Sequence, residues 1–245
     1  MKGRAAYYRR DLALVHHLGY GFHADACAPG ILALLESVRE RRGLVLELGC
    51  GSGTLTRHLV EAGHRVVATD ASPHMLELAR EAVPSAEELR LVRLPDDPLP
   101  ECDAVVSVGH VLSYLPNEDS LEAALAAAAK ALRRGGVFAI DLLDLRYGAE
   151  RAGDETRGRV GDAWAVVVKL SRPDQRLYVR EITTFLRNED GSWRRHDERH
   201  ENVLVETTRI PAVLATHGVD VCVGESFGEE ELPPGLVAIV GGRPS

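Results

Sequence analysis

From Leu44 to Val137, short apolar runs alternate with stretches whose apolar positions recur every three or four residues. That is the pattern of parallel strands covered by helices on both faces of a sheet. Strands are predicted at Leu44-Val-Leu-Glu47, Arg65-Val-Val-Ala-Thr-Asp70, Leu89-Arg-Leu-Val-Arg-Leu94, Cys102 to Val108 and Val137 to Asp141. Between them, helices are predicted from Thr54 to Ala62 with Gly63 as the stop, and from Pro73 to Val83 with Ser72 as the N-cap. A third runs from Leu121 to Arg134, with Asp119-Ser-Leu-Glu122 as a capping box and Gly135-Gly136 as the stop.

The two ends read differently. The first forty residues have a helical period, from Arg4 to Leu18 and again from Pro29 to Arg41, broken at Gly19-Tyr-Gly-Phe22. Beyond Tyr147 the period becomes two, in Ala163 to Leu170, Leu177 to Leu186 and Ser192 to Leu204. Turns at Arg172-Pro-Asp-Gln175 and Asn188-Glu-Asp-Gly191 make these antiparallel strands inserted into an α/β chain. A helix from Thr207 to His217 and strands at Val219 to Val223 and Leu236 to Val240 complete the pattern.

The chemistry concentrates in Leu44-Val-Leu-Glu-Leu-Gly-Cys-Gly-Ser-Gly53, a buried strand breaking into three alternating glycines before a helix. Gly49, Gly51 and Gly53 can take positive φ and carry no Cβ, so the backbone can turn and lie against a ligand. Asp70 ends the next strand, where a carboxylate meets the ribose hydroxyls of a nucleoside. A dinucleotide site needs glycine at the sixth position of the loop, where this chain has Thr54. Glu47 is also a poor neighbour for a pyrophosphate and a good one for a cation. The combination favours S-adenosylmethionine, with its sulfonium and ammonium, over NAD. A glycine-rich turn without a ligand would explain neither carboxylate.

These residues resemble the first two motifs of the class I S-adenosylmethionine-dependent methyltransferases of the small-molecule type. The resemblance implies a Rossmann-like sheet of seven mostly parallel strands, the last antiparallel, with the insertion as a β lid. It divides a single domain into an N-terminal helical cover (1–43), a cofactor core (44–145), the antiparallel insertion (155–206) and a terminal helix and strand pair (207–245). It implies cofactor contacts from Tyr8, Glu47, Gly49, Cys50, Gly51, Gly53, Asp70, Ala71, Ser72, Met75, Leu94, Gly109 and His110. The family's commonest pattern has an Asp after the third strand to hold the adenine amino group. Here Leu94-Pro95 occupies that place, Asp96 and Asp97 are displaced, and Leu94 offers backbone and an apolar wall.

Methyl transfer from a sulfonium needs chiefly orientation and exclusion of water, and a base where the acceptor arrives protonated. His110, in Gly109-His-Val-Leu-Ser-Tyr114 after the fourth strand, is the first candidate base and His16 the second. Tyr114, Tyr147, Trp164, Arg180 and His200 are the candidate acceptor contacts. The loop after the fourth strand lacks Asn-Pro-Pro-Tyr, Asp-Pro-Pro-Tyr and Pro-Cys, the motifs of DNA amino- and cytosine C5-methyltransferases. The formal net charge of −8 also gives no attraction to nucleic acid or anionic membrane. The partner expected is therefore a small-molecule methyl acceptor, accepting on O, N or C. An NAD-linked oxidoreductase and a non-catalytic binder of the cofactor or of its demethylated product are the rival readings.

No apolar run approaches the ~18–20 residues that span a bilayer. Met1-Lys-Gly-Arg-Ala leads into polar residues, so a soluble, cytoplasmic protein is expected. The four cysteines form no Cys-x-x-Cys pair, which fits a reducing compartment and no metal cluster. His196 and His200 have metal-ligand spacing for a helix, but on a strand four residues span ~13 Å. No motif calls for a homodimer or forbids one.

Overall fold

The protein is described by a computed structural model covering residues 7–149 and 155–245. The opening of the expected first helix falls on residues 1–6 and lies outside the described residues.

The cover is made of α1 (Arg10–Gly19), α2 (Phe22–Leu34) and the short α3 (Glu36–Glu40). Helix α2 begins seven residues before the expected restart at Pro29, which instead sits inside it. A proline there forfeits one backbone bond. The helix persists because Cys27, Ala28 and Ile31 are buried against the sheet's helix layer and Gly30 lies under the backbone of Phe227 and Gly228. A Cβ at Gly30 would come within 2.7 Å of Gly228 N.

The alternating region forms β1 (Leu44–Leu48), α4 (Thr54–Glu61), β2 (Arg65–Asp70), α5 (Pro73–Ala82), β3 (Glu88–Leu91), β4 (Cys102–Ser107), α6 (Glu118–Ala131) and β5 (Leu132–Leu143). After α7 (Ile210–Ala215), β10 (Asp220–Gly224) and β11 (Leu236–Gly242) finish a seven-stranded sheet in the order β10-β11-β5-β4-β1-β2-β3. Its neighbours are parallel except β11, which runs antiparallel between β5 and β10. Two apolar clusters cover opposite faces, one around Leu46, Leu125 and Phe138, the other around Ile31, Val45 and Leu59. The sheet reverses direction of winding between β1 and β4, so the loops after β1, β2, β4 and β5 share one edge, the position where open α/β sheets hold ligands.

The expected and observed boundaries differ in three instructive places. Strand β3 stops at Leu91, because Asp97 Oδ2 accepts from Arg93 N at 2.7 Å and folds the following residues into a turn. Helix α6 is capped by Asn117, whose Oδ1 accepts from Ser120 N at 2.8 Å, and not by Asp119. It ends at Ala131, three residues early, since Leu132 already pairs with Cys102 across β4 and β5.

The insertion is a four-stranded antiparallel sheet, β6 (Glu155–Val160), β7 (Trp164–Asp174), β8 (Leu177–Arg187) and β9 (Trp193–Val203), in that order. Strand β6 is the one not expected. It is largely exposed at an edge, and Glu155-Thr-Arg-Gly-Arg-Val160 carries no apolar alternation to read. Helix α1 packs on this sheet through Leu12, Val15, Trp164, Val166, Ile182 and Leu186. Among the described residues no helix is long and apolar enough to cross a membrane.

Candidate functional site

The glycine loop leaves β1 in left-handed conformations, with φ of +70° at Gly49, +55° at Gly51 and +89° at Gly53, the last serving as N-cap of α4. A Cβ at Gly49 would strike Val111 at 2.4 Å, so this glycine lets the loops after β1 and β4 touch. A Cβ at Gly51 would meet nothing within 4 Å, which leaves its backbone facing open space. Asp70 reaches into the loop from the end of β2. Its Oδ2 accepts from Gly51 N at 2.9 Å and its Oδ1 from Ser72 N at 2.8 Å. Burial nevertheless outweighs these bonds and holds its pKa above the usual carboxylate value. Ser72 caps α5 by accepting from Met75 N at 3.3 Å, and Met75 is buried behind it. Ala71, between Asp70 and Ser72, is exposed, and Cys50 is buried with the α4–α5 side of the sheet.

Glu47 is 2% exposed and accepts from Thr56 Oγ1 at 2.7 Å. Burial raises its pKa to about 7, against the lowering effect of the Thr56 bond and with a smaller contribution from the Asp70 charge. Leu94 packs against the core beside the sheet, and Asp97, the displaced acid, is turned back on Arg93 N. The residues present fit a cationic nucleoside: an open glycine backbone, two carboxylates on adjacent strands and, among the described residues, no cation placed for a phosphate.

The loop after β4 is held from below by a carboxylate that sequence reasoning did not single out. Asp141, fully buried at the ligand edge of β5, accepts from Gly109 N at 2.8 Å and from His110 N at 2.6 Å. His23 Nε2 lies 2.9 Å from its Oδ2. Only the topology brings these partners together, 31 and 118 positions apart. His110 is thereby fixed at φ +49°, a conformation that costs a non-glycine residue energy. A short 3-10 turn, Val111–Tyr114, follows and presents Tyr114 to the lid.

His110, Tyr114, His16, Tyr8 and His200 form one cluster. His110 stacks on Tyr114 at 5.5 Å between centroids, Tyr8 lies edge-on to His16 at 5.1 Å and to His200 at 4.9 Å, and Tyr7 covers His200 at 4.7 Å. Tyr8 also spans the two halves of the site. Its carbonyl accepts from Ser72 Oγ at 2.7 Å and its hydroxyl is 2.7 Å from that of Tyr114. Arg180, from β8, lies against the Tyr114 ring at 5.3 Å and donates to the Tyr114 hydroxyl and, at 2.8 Å, to Asn202 Oδ1. Burial, and next the Arg180 charge, depress the basicity of His16 to about 4 and that of His110 well below the ordinary imidazole value. Both rings are neutral at physiological pH. Burial pushes the Tyr8 hydroxyl up, so it stays protonated.

One of the expected acceptor contacts, Trp164, lies elsewhere, and another, Tyr147, borders the Arg180 cluster through Tyr178. Trp164 is 8% exposed in the apolar seam between α1 and the lid, where its ring would meet any Cβ on Gly19 at 2.6 Å. Tyr147 stands edge-on to Tyr178 at 5.1 Å among Leu143, Leu170 and Leu204. His196 and His200 both lie on strand β9, as the alternation indicated.

A family model described as a methyltransferase domain matches residues 45–136, the stretch from β1 to the start of β5. An uncharacterized methyltransferase of Mycobacterium tuberculosis is 35% identical over 177 residues, 67% of this chain and 68% of its own. A dTDP-3-amino-3,4,6-trideoxy-alpha-D-glucopyranose N,N-dimethyltransferase of Streptomyces venezuelae is 30% identical over 135 residues, covering 54% and 55% of the two chains. The crystal structure of an S-adenosylmethionine-dependent methyltransferase from Clostridium acetobutylicum superposes with a TM-score of 0.78 at 18% identity, over 95% of this chain and 98% of that one.

Proposed function

The chain belongs to the class I S-adenosylmethionine-dependent methyltransferases, and from that premise we propose that it methylates an O, N or C atom of a small metabolite. The observation that carries the reading is the convergence of two sets of groups on one edge of the sheet. The open Gly51 backbone and Asp70 stand on one side, and His110 and Tyr114 on the other, with Tyr8 bonded to both. The relative named for a dTDP-amino sugar supports a small-molecule acceptor for this lineage.

When bound, S-adenosylmethionine supplies an electrophilic methyl group on a sulfonium. Asp70 would hold the ribose with the lone pairs its two backbone bonds leave over, and Gly49, Gly51 and Gly53 would let the loop lie against the rest. Glu47, pushed up to about 7 by burial, would ionise as a cation approaches. Leu94 offers an apolar wall, and Gly109 offers backbone where a Cβ would meet nothing within 4 Å. His110, neutral and fixed in place through its own N–H by Asp141, would take a proton from the acceptor, with His16 the second candidate. Residues 1–43 and 155–206 act as cover and lid on the core of 44–145 and the terminal unit of 207–245. In that role Tyr7, Tyr8 and α1 keep water from the reacting atoms.

Calorimetric titration with S-adenosylmethionine, S-adenosylhomocysteine and NAD tests the cofactor, with the first two expected to bind and NAD not. NAD binding without the other two would overturn the reading. Turnover of labelled methyl groups against a metabolite panel then separates an enzyme from a sensor. No transfer to any acceptor despite tight cofactor binding would favour the sensor.

A further inference from the structure

The inward face of the lid carries a cation with no anion beside it. On β8 and β9, Arg180 stands opposite His200, with Asn202 one inward step along, and both His200 and Asn202 are fully buried. Arg180 keeps its proton under all ordinary conditions, so this is a permanent positive charge. Among the described residues no carboxylate pairs with it. On the same buried face of β9, Glu198 is already engaged: Oε1 accepts from Arg9 N at 2.9 Å and Oε2 lies 3.0 Å from His200 Nε2. The Arg180 guanidinium spends Nη2 on the Tyr114 hydroxyl and on Asn202 Oδ1, while its Nε is sealed from water with no acceptor.

Asn202 repeats the shortage. Its oxygen faces the guanidinium, which fixes the amide orientation, because the flipped amide would set N–H against N–H. Its Nδ2 is therefore a donor, and it too is buried without an acceptor. Two adjoining groups, joined by a 2.8 Å bond, thus leave two buried N–H donors without an acceptor among the described residues. Unmet donors of this kind are costly in a folded protein. A neutral hydroxyl or amide oxygen could accept from both donors, but only an anionic acceptor also balances the buried charge, and its bonds to the guanidinium are the stronger, charge-assisted kind.

We propose that Arg180 and Asn202 form an oxyanion subsite, so that the molecule methylated carries a carboxylate or phosphate group anchored beside Tyr114. The proposal rests on the reading of the loop after β4 as the acceptor side. It makes Arg180 and Asn202 specificity-determining residues, and it divides the acceptor into an anionic end held by the lid and a reacting end facing His110.

The test titrates benzoate, phenyl phosphate and neutral benzamide into the full chain saturated with S-adenosylhomocysteine, in the parent and in Arg180→Met and Asn202→Asp. At least one anion should bind roughly tenfold or more tightly than benzamide to the parent, and both substitutions should erase that preference. Asn202→Asp supplies an internal counter-ion and should fold at least as stably as the parent, so loss of the subsite is read apart from loss of the fold. The proposal is overturned if benzamide matches both anions, if neither anion binds, or if the preference survives both substitutions. It is equally overturned if Arg180→Met weakens S-adenosylhomocysteine as much as the anion, since Arg180 would then serve the cofactor's own carboxylate. Failure of the parent to bind S-adenosylhomocysteine strikes the cofactor reading alone, because the same three probes titrated into the ligand-free chain still decide the subsite.

Discussion

The loops after β1 and β2 and the inner face of the lid are both polar, yet they are satisfied in different ways. At the end of β2, a carboxylate is held by two backbone N–H groups at 2.9 and 2.8 Å, and the geometry is complete within 22 residues of chain. On the lid, a guanidinium and an amide keep buried donors with no acceptor among the described residues, and their neighbours come from the turn after β4, from β8 and β9 and from the cover. The first region is preorganised by its own backbone, and the second keeps donors that an acceptor brought by a ligand would meet. A cofactor shared by a whole family suits the first arrangement, and a substrate particular to one member suits the second.

The largest effect expected comes from His110→Asn, chosen because Asn tolerates the left-handed backbone His110 adopts. A lost base should lower turnover by ~100- to 10,000-fold while cofactor affinity barely moves. A greater loss of affinity than of turnover would move His110 to the cofactor half. Gly49→Ala places a methyl group into Val111 at a positive φ, and thermal or urea unfolding should show a loss of about 3 kcal/mol. Unchanged stability would mean that the loops after β1 and β4 are not locked together.

The pH dependence separates the regions again. Glu47 titrates at about 7 in the folded chain against 4.5 ordinarily, so its contribution is full below 4.5 and is lost as pH rises to 7. His16 titrates at about 4 against 6.5, so its contribution is full above 6.5 and is lost as pH falls toward 4. Each limb amounts to at most about 3 kcal/mol, and between pH 4.5 and 6.5 they oppose one another. Relative to the parent, Glu47→Gln should gain stability as pH rises through its window, and His16→Phe should lose it through its own. Parallel profiles in urea titrations across pH would contradict both assignments. Asp70→Ala should weaken S-adenosylhomocysteine binding by ~1.5–3 kcal/mol in calorimetry, the value of hydrogen bonds to a charged group. The smallest change expected is for Arg65→Ala, which breaks an exposed pair with Glu87 at the far end of β2. It should leave stability nearly unchanged in urea titration and leave both ligands alone.

The contrast also explains what could be read from the sequence. The glycine loop, Asp70 and the Ser72 cap are local, each formed by residues a few positions apart or by two consecutive strands, so pattern and turn chemistry reached them. Asp141 and His23 could be seen as residues but not as partners, because the bonds to Gly109, His110 and each other exist only once β5 lies beside β4. Asn202 sits in Trp193-Arg-Arg-His-Asp-Glu-Arg-His-Glu-Asn-Val203, polar on both faces, so alternation cannot say which residues turn inward. Trp164, an aromatic on a strand, looked the same whether it lined a pocket or a seam, and the seam with α1 took it.

The central claim is that one carboxylate serves the cofactor and one guanidinium serves the acceptor, with Tyr8 between them. Calorimetric titration of S-adenosylhomocysteine and of the better-bound anion into Asp70→Ala and Arg180→Met tests it in a single crossed set. Asp70→Ala should lose about tenfold or more in cofactor affinity and keep the anion, and Arg180→Met should do the reverse. If either substitution weakens both ligands alike, the two regions are one site and the division fails.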